Sequence, residues 1–154
     1  MELRERIQAD TKEAMKSKDT ARLSTLRLIS AAIKDREIAA RSERPEHPGL
    51  NDGDLIAILS KMVKQRQESA RAYEEGGRLE LAEKEAAEIG IIQDYLPRQL
   101  AEDEVRAAID KVIKELGASS VRDMGRVMGE LRGRFAGQMD FGAVGPMIKD
   151  RLMS

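Results

Sequence analysis

The stretch Asp52-Gly-Asp-Leu-Ile-Ala-Ile-Leu-Ser-Lys-Met-Val-Lys-Gln-Arg-Gln-Glu-Ser-Ala-Arg-Ala-Tyr-Glu-Glu75 decides the fold, together with Gly76-Gly77 and the run from Arg78 to Tyr95 that follows. Leu55, Leu59, Met62, Arg66, Ala70 and Tyr73 recur every three or four residues, the spacing of one helical face. Asn51 or Asp52 supplies an N-terminal cap. The paired glycines make a turn, and a second helix over about 78–95 is predicted to bury Leu81, Ala82, Glu85, Ile89 and Ile92. Leu96-Pro97 ends it, because proline disfavours helical geometry in the residue before it. The result is a helical hairpin with one charge in each apolar stripe. Arg66 lies ten residues before Gly76 and Glu85 eight after Gly77, so the two are expected to face each other as a structural ion pair. Breaking a buried pair of this kind costs about 3–5 kcal/mol, since the abandoned charge stays in the interior.

Working outward, the same periodicity continues in both directions. A helix over about 2–17 turns Leu3, Ile7 and Ala14 inward, and Asp19 or Thr20 caps another built on Leu23, Leu26, Ile29 and Ile33. Residues 41–51, with two prolines and no period, read as a mobile loop. Beyond Pro97 come a helix over about 102–116 stopped by Gly117, a sixth over about 121–135 capped by Ser119 or Ser120, and a last segment capped by Asp140. Pro146 falls inside that last segment and is expected to kink or restart it. The chain therefore reads as all-α: a four-helix N-terminal domain over 1–96 and a small three-helix domain over 97–154.

Composition narrows the function. The 154 residues contain no cysteine, which excludes disulfides, iron–sulfur clusters and thiol catalysis and makes a cytoplasmic location the default expectation. The mixed-charge N-terminus does not resemble a signal peptide, and no run of apolar residues is long enough to span a bilayer. A single histidine, His47, sits in the proline-rich loop and leaves neither a zinc site nor the usual general base. Glu80, Glu83 and Glu88 spread around their helix without converging, so no metal and no cofactor are expected. The net charge of −1 excludes a generic polycation, though not a local basic patch. Four aromatics are too few for a single-strand stacking platform, so an RNA partner would be folded and read through its shape and backbone.

The sixth helix carries the most unusual pattern, Val121-Arg-Asp-Met-Gly-Arg-Val-Met-Gly-Glu-Leu-Arg-Gly-Arg-Phe135. Val121, Met124, Val127, Met128, Leu131 and Phe135 cover one face. Arg122, Arg126, Gly129 and Gly133 fall nearly opposite, with Gly125 and Arg132 on the flank. Each interior glycine weakens a helix by about 1 kcal/mol relative to alanine. Glycines facing away from the core are expected to admit something close to the backbone: a phosphate–ribose chain between arginines, or a partner helix. Lys61, Lys64 and Arg71 form a second, weaker basic patch on the outward side of the 52–75 helix.

Several stretches together resemble a known family. Leu26-Arg-Leu-Ile-Ser-Ala-Ala-Ile-Lys34, Lys61-Met-Val-Lys-Gln-Arg-Gln-Glu-Ser69, Gly77-Arg-Leu-Glu-Leu-Ala-Glu-Lys-Glu-Ala-Ala-Glu-Ile89, Tyr95-Leu-Pro-Arg-Gln-Leu100 and Asp123-Met-Gly-Arg-Val-Met-Gly129 are similar to the YqeY family, in order along nearly the whole chain. The chain also resembles the tail of the B subunit of tRNA-dependent amidotransferases, in which the tail meets the outer corner of tRNA while chemistry occurs elsewhere. Related modules are found on glutaminyl-tRNA synthetases. The resemblance falls on Met124, Gly125, Arg126, Met128, Gly129 and the stretch towards Gly137 and Asp140. It implies a non-catalytic tRNA-binding accessory module working with a tRNA-charging or amidotransferase enzyme, within systems for glutamine-dependent carbon–nitrogen ligation. The residues offer no catalytic set of their own. Two alternatives stand beside it: a protein-interaction adaptor using the same glycine face, and a component of an amidotransferase complex. Pro146 and the proline-rich loop depart from the family pattern.

Overall fold

The computed structural model describes residues 2–153, and among these every regular element is helical. The order is α1 (Leu3–Lys16), α2 (Thr20–Glu43), α3 (Asp52–Glu75), α4 (Leu79–Gln93), α5 (Glu102–Leu116), a 3-10 turn (Val121–Asp123), α6 (Met124–Arg134) and α7 (Phe141–Met153). The chain divides into two compact units, one ending at Leu96 and the other beginning at Pro97.

In the N-terminal unit, Leu3 and Ile7 of α1, Leu26, Ile29 and Ile33 of α2, Leu55, Leu59 and Met62 of α3, and Ile92 of α4 close one core. Helix α2 is longer than its sequence suggests. It runs past Arg41 to Glu43, with Ala40 buried, so the irregular segment shortens to residues 44–51. Helix α3 starts with a reciprocal cap, in which the Asn51 side chain accepts from Asp54 N–H and Asp54 accepts from Asn51 N–H. The buried side chains of α3 stop at Val63, and of the α4 helix only Ala82 and Ile92 are buried. The outer half of the α3–α4 hairpin is thus two helices resting on each other. Leu81, expected inside, is 37% exposed, and Leu79 beside it is 62% exposed.

The expected Arg66–Glu85 pair is not the one that forms. Arg66 Nε donates to Glu88 Oε2 at 2.9 Å, with each side chain 16% exposed, and Arg66 Nη1 donates to the Met62 carbonyl at 3.1 Å. Side chains lean towards the N-terminus of their own helix. In α3 that direction points away from the turn, so Arg66 reaches one helical turn beyond its level to meet Glu88, which leans back towards the turn. Counting residues from the glycines ignores this lean and misses by three positions.

In the C-terminal unit, Val105, Ala108, Ile109 and Val112 of α5 pack with Val127 and Leu131 of α6 and with Val144, Ile148 and Leu152 of α7. Gly117 takes the left-handed conformation, φ 65°, that ends α5. Asp140 starts α7 by accepting from Gly142 N–H at 3.0 Å. Helix α7 continues through Pro146 instead of restarting there. Proline at this position removes the single bond to the Gly142 carbonyl, while Val144, Ile148 and Leu152 stay on one buried stripe across it. The segment after Pro97 is stitched to the α6–α7 connection: Leu100 N–H donates to the Gln138 carbonyl at 2.8 Å, the Gln138 amide to the Arg98 carbonyl at 3.1 Å, and the Gln99 amide to the Gly137 carbonyl.

Candidate functional site

The local fold around α6 begins at a cap. Ser120 caps the 3-10 turn, and Asp123 accepts from Ser119 N–H at 3.0 Å and Ser120 N–H at 3.4 Å. These backbone bonds hold the Asp123 carboxyl below the usual carboxylate range, assisted by Arg126. The helix proper therefore starts at Met124, not Val121. Arg122 lies on the 3-10 turn, and α-helical periodicity does not place it in line with Gly129.

Within α6, Val127 and Leu131 are fully buried and set which side faces out. Gly125, Gly129 and Gly133 are exposed, and a Cβ built on any of them would meet nothing within 4 Å. The strip is open backbone.

The arginines beside it are less free than their spacing suggests. Arg126 Nη1 donates to Asp123 at 3.2 Å and Nη2 to the Leu116 carbonyl at 3.0 Å, which ties the start of α6 to the end of α5. Arg132 lies over the Phe141 ring, 5.7 Å from its centroid. Arg134 bridges Glu130 at 2.8 Å and Glu115 at 2.7 Å. Arg122 is exposed and forms no ion pair with another described residue. On α3, Lys61, Lys64 and Arg71 are all exposed, in the other unit from the glycine strip. Arg66 is engaged with Glu88 and has a structural role.

Sequence reasoning overlooked a polar cluster around Tyr95, the first residue of the Tyr-Leu-Pro motif. The Tyr95 hydroxyl donates to Asp10 at 2.5 Å, and Arg22 donates to that hydroxyl at 3.4 Å and to Asp94 at 3.5 Å. Arg6 covers the ring at 5.2 Å. Burial, reinforced by the bond to Asp10, pushes the Tyr95 phenol up to about 12. The cluster fastens the end of α4 to α1 and α2. An aromatic directly before the helix-ending Leu-Pro was its only trace in the sequence.

Among the described residues, no helix is long and apolar enough to cross a membrane, and no three His, Asp or Glu side chains converge as metal ligands. The sequence profile of the YqeY-like proteins matches residues 4–152. The chain belongs to the YqeY-like family. Curated relatives include the altered inheritance of mitochondria protein 41, mitochondrial, of Eremothecium gossypii, 38% identical over 71% of this chain and 58% of the relative. The Pyrenophora tritici-repentis protein of that name is 31% identical over 84% of the chain and 71% of its own length. The Clavispora lusitaniae protein is 28% identical over 96% and 84%. The YqeY-like chain thus spans a little under six tenths of the Eremothecium protein's length. These names correct the cytoplasmic expectation, because the relatives are described as mitochondrial. A chain without cysteine carries no redox mark that separates one reducing compartment from another.

Proposed function

We propose that this YqeY-like protein is a non-catalytic RNA-binding accessory module, with tRNA as the partner and with the C-terminal unit acting as the amidotransferase tail does. The observation that carries the reading is the open strip of Gly125, Gly129 and Gly133, where a ligand can touch helix backbone without displacing a side chain. Three glycines weaken α6 by about 2–3 kcal/mol relative to alanine, and among the described residues no neighbour packs closely enough to require them there. A phosphate–ribose chain lying along the strip gains from Arg122 at its entry and from backbone approach. With Arg122, Arg126 and Arg132 all on phosphates, three contacts give a shallow salt dependence, with a slope of about −2 to −3. The prior engagement of Arg126 and Arg132 favours a second reading, in which a helix of a partner protein, such as a tRNA-charging or amidotransferase enzyme, occupies the same strip.

The test is a titration of the full chain with tRNA and with a plain RNA duplex. Gly129→Gln with Gly133→Gln fills the strip and is expected to weaken tRNA binding at least ten-fold while the thermal melt stays native. Gly129→Ala, which meets no neighbour, is expected to bind like wild type and to melt higher. Wild-type affinity in the double glutamine variant removes the RNA reading. Arg126→Ala is a poor probe, since it also cuts the tie to Leu116.

A further inference from the structure

The inner face of α2 builds the core, and its outer face has a character of its own. Arg27, Lys34 and Arg41 recur every seven residues, two helical turns apart, so they form one row on the solvent side. All three are exposed and none forms an ion pair with another described residue. Adjacent rises of about 10 Å spread the row over about 21 Å. Uncharged positions share this side, with Ser24, Ser30 and Ala31 small, Ile38 large and 56% exposed, and exposed Leu28 on the flank. The neighbouring acids are turned elsewhere: Glu37 pairs with Arg4 on α1, and Asp35 lies about 100° round the helix from Lys34. Arg22, on the inner side, is consumed by Asp10, Asp94 and Tyr95. Elsewhere several arginines are neutralised by carboxylates, as Arg134 is by Glu115 and Glu130, and Arg151 by Asp110. The row on α2 is not.

We infer that the outer face of α2 is a second RNA-backbone contact, independent of the glycine strip in its residues and lying in the N-terminal unit. This rests on the RNA reading proposed above. Evenly spaced, unneutralised cations suit a ligand with regularly repeated negative charge, and Ser30 and Ala31 between Arg27 and Lys34 let a backbone lie close there. An acidic peptide would match this row only with acids at the same two-turn spacing, whereas a nucleic-acid strand, with one charge per about 3.4 Å of helix axis, presents a phosphate near each cation whatever its sequence. Contacts of this kind work through counterion release, each contributing about −0.7 to −0.9 to the salt slope.

The experiment compares wild type, Arg27→Gln/Lys34→Gln/Arg41→Gln, and the charge-preserving Arg27→Lys/Arg41→Lys, each titrated with tRNA and with a plain duplex between 50 and 200 mM salt. The triple variant is expected to bind at least ten-fold more weakly at low salt, with a slope shallower by about 2–3, and the lysine variant to retain the wild-type slope. A natively folded triple variant with wild-type affinity and slope overturns this inference alone, provided Gly129→Gln with Gly133→Gln still loses binding. Absence of RNA binding by the wild-type chain overturns both readings. Loss of binding in the lysine variant as well would show that packing, not charge, is at work on α2, and would also overturn the inference.

Discussion

The N-terminal unit anchors a buried tyrosine in a polar cluster at the edge of its core and leaves the outer half of a hairpin outside any shared core, whereas the C-terminal unit keeps its charges on the surface and its core nearly continuous. Among the described residues, twelve buried side chains form the central core of the first unit, while ten form that of the second, a unit little more than half as long. The N-terminal unit relies more on specific polar joints, at Tyr95 and at Arg66–Glu88. The C-terminal unit spends its polar groups at helix ends: Glu104 receives Arg98 at 2.9 Å and Ala101 N–H at 3.0 Å, and Asp123 receives Ser119, Ser120 and Arg126. Apolar burial is non-directional and tolerates a small unit. Directional joints hold long helices in a fixed pairing.

The comparison is broken most directly in the cores. Leu59→Ala and Leu131→Ala each remove a side chain that is wholly buried and are expected to cost about 2–5 kcal/mol. Hydrogen exchange should show Leu131→Ala stripping protection from α5, α6 and α7 while α3 is unchanged, and Leu59→Ala the reverse. Protection lost equally in both units by either variant would show that the division at Leu96 has no energetic meaning.

A smaller effect tests the hairpin joint. Glu88→Ala strands the half-buried Arg66 guanidinium and should cost about 2 kcal/mol in urea unfolding, less than a fully buried pair would. Glu85→Ala should fall within about 0.5 kcal/mol of wild type. Equal losses would return the pairing to the position that simple counting from the glycines suggests.

The smallest expected effect is in pH dependence, and it has opposite signs in the two units. Tyr95 titrates at about 12 in the folded chain against 10.0 ordinarily, so its contribution is full below pH 10 and is lost as pH rises towards 12. Glu104 is held at about 2 by Arg98 and by the Ala101 N–H, against 4.5 ordinarily, so its contribution is present above pH 4.5 and lost as pH falls towards 2. Glu115 and Asp123 shift the same way. Circular dichroism against pH should show Tyr95→Phe flattening the alkaline limb and Glu104→Gln the acid limb. An alkaline limb unchanged in Tyr95→Phe would detach that limb from the Tyr95 cluster.

Much of this could be read from residue order, but unevenly. Helix α5 was legible at both ends because an acidic first turn and Gly117 bracket a clean apolar stripe. The end of α2 was less legible, since Arg41-Ser-Glu looks like loop, yet Ala40 is buried and its carbonyl accepts from Arg44 N–H at 3.0 Å. Pro146 looked like a break, yet one missing hydrogen bond is outweighed by a stripe that stays buried on both sides of it. The glycine strip was visible as a pattern. The prior commitments of Arg126 and Arg132 were not, because their partners, the Leu116 carbonyl and the Phe141 ring, come from other helices.

By itself the sequence determined that the chain is helical, where most helices start and stop, and which face of α6 lacks side chains, because these depend on local geometry and on a period of 3.6 residues. The tertiary structure alone decided that Arg66 takes Glu88, that Tyr95 closes on Asp10 and Arg22, and that the cations spaced seven residues apart on α2 stay exposed and unneutralised among the described residues. Long charged side chains reach a full helical turn from their own position, so their partners are set by how helices pack and lean, which no reading along a single helix contains.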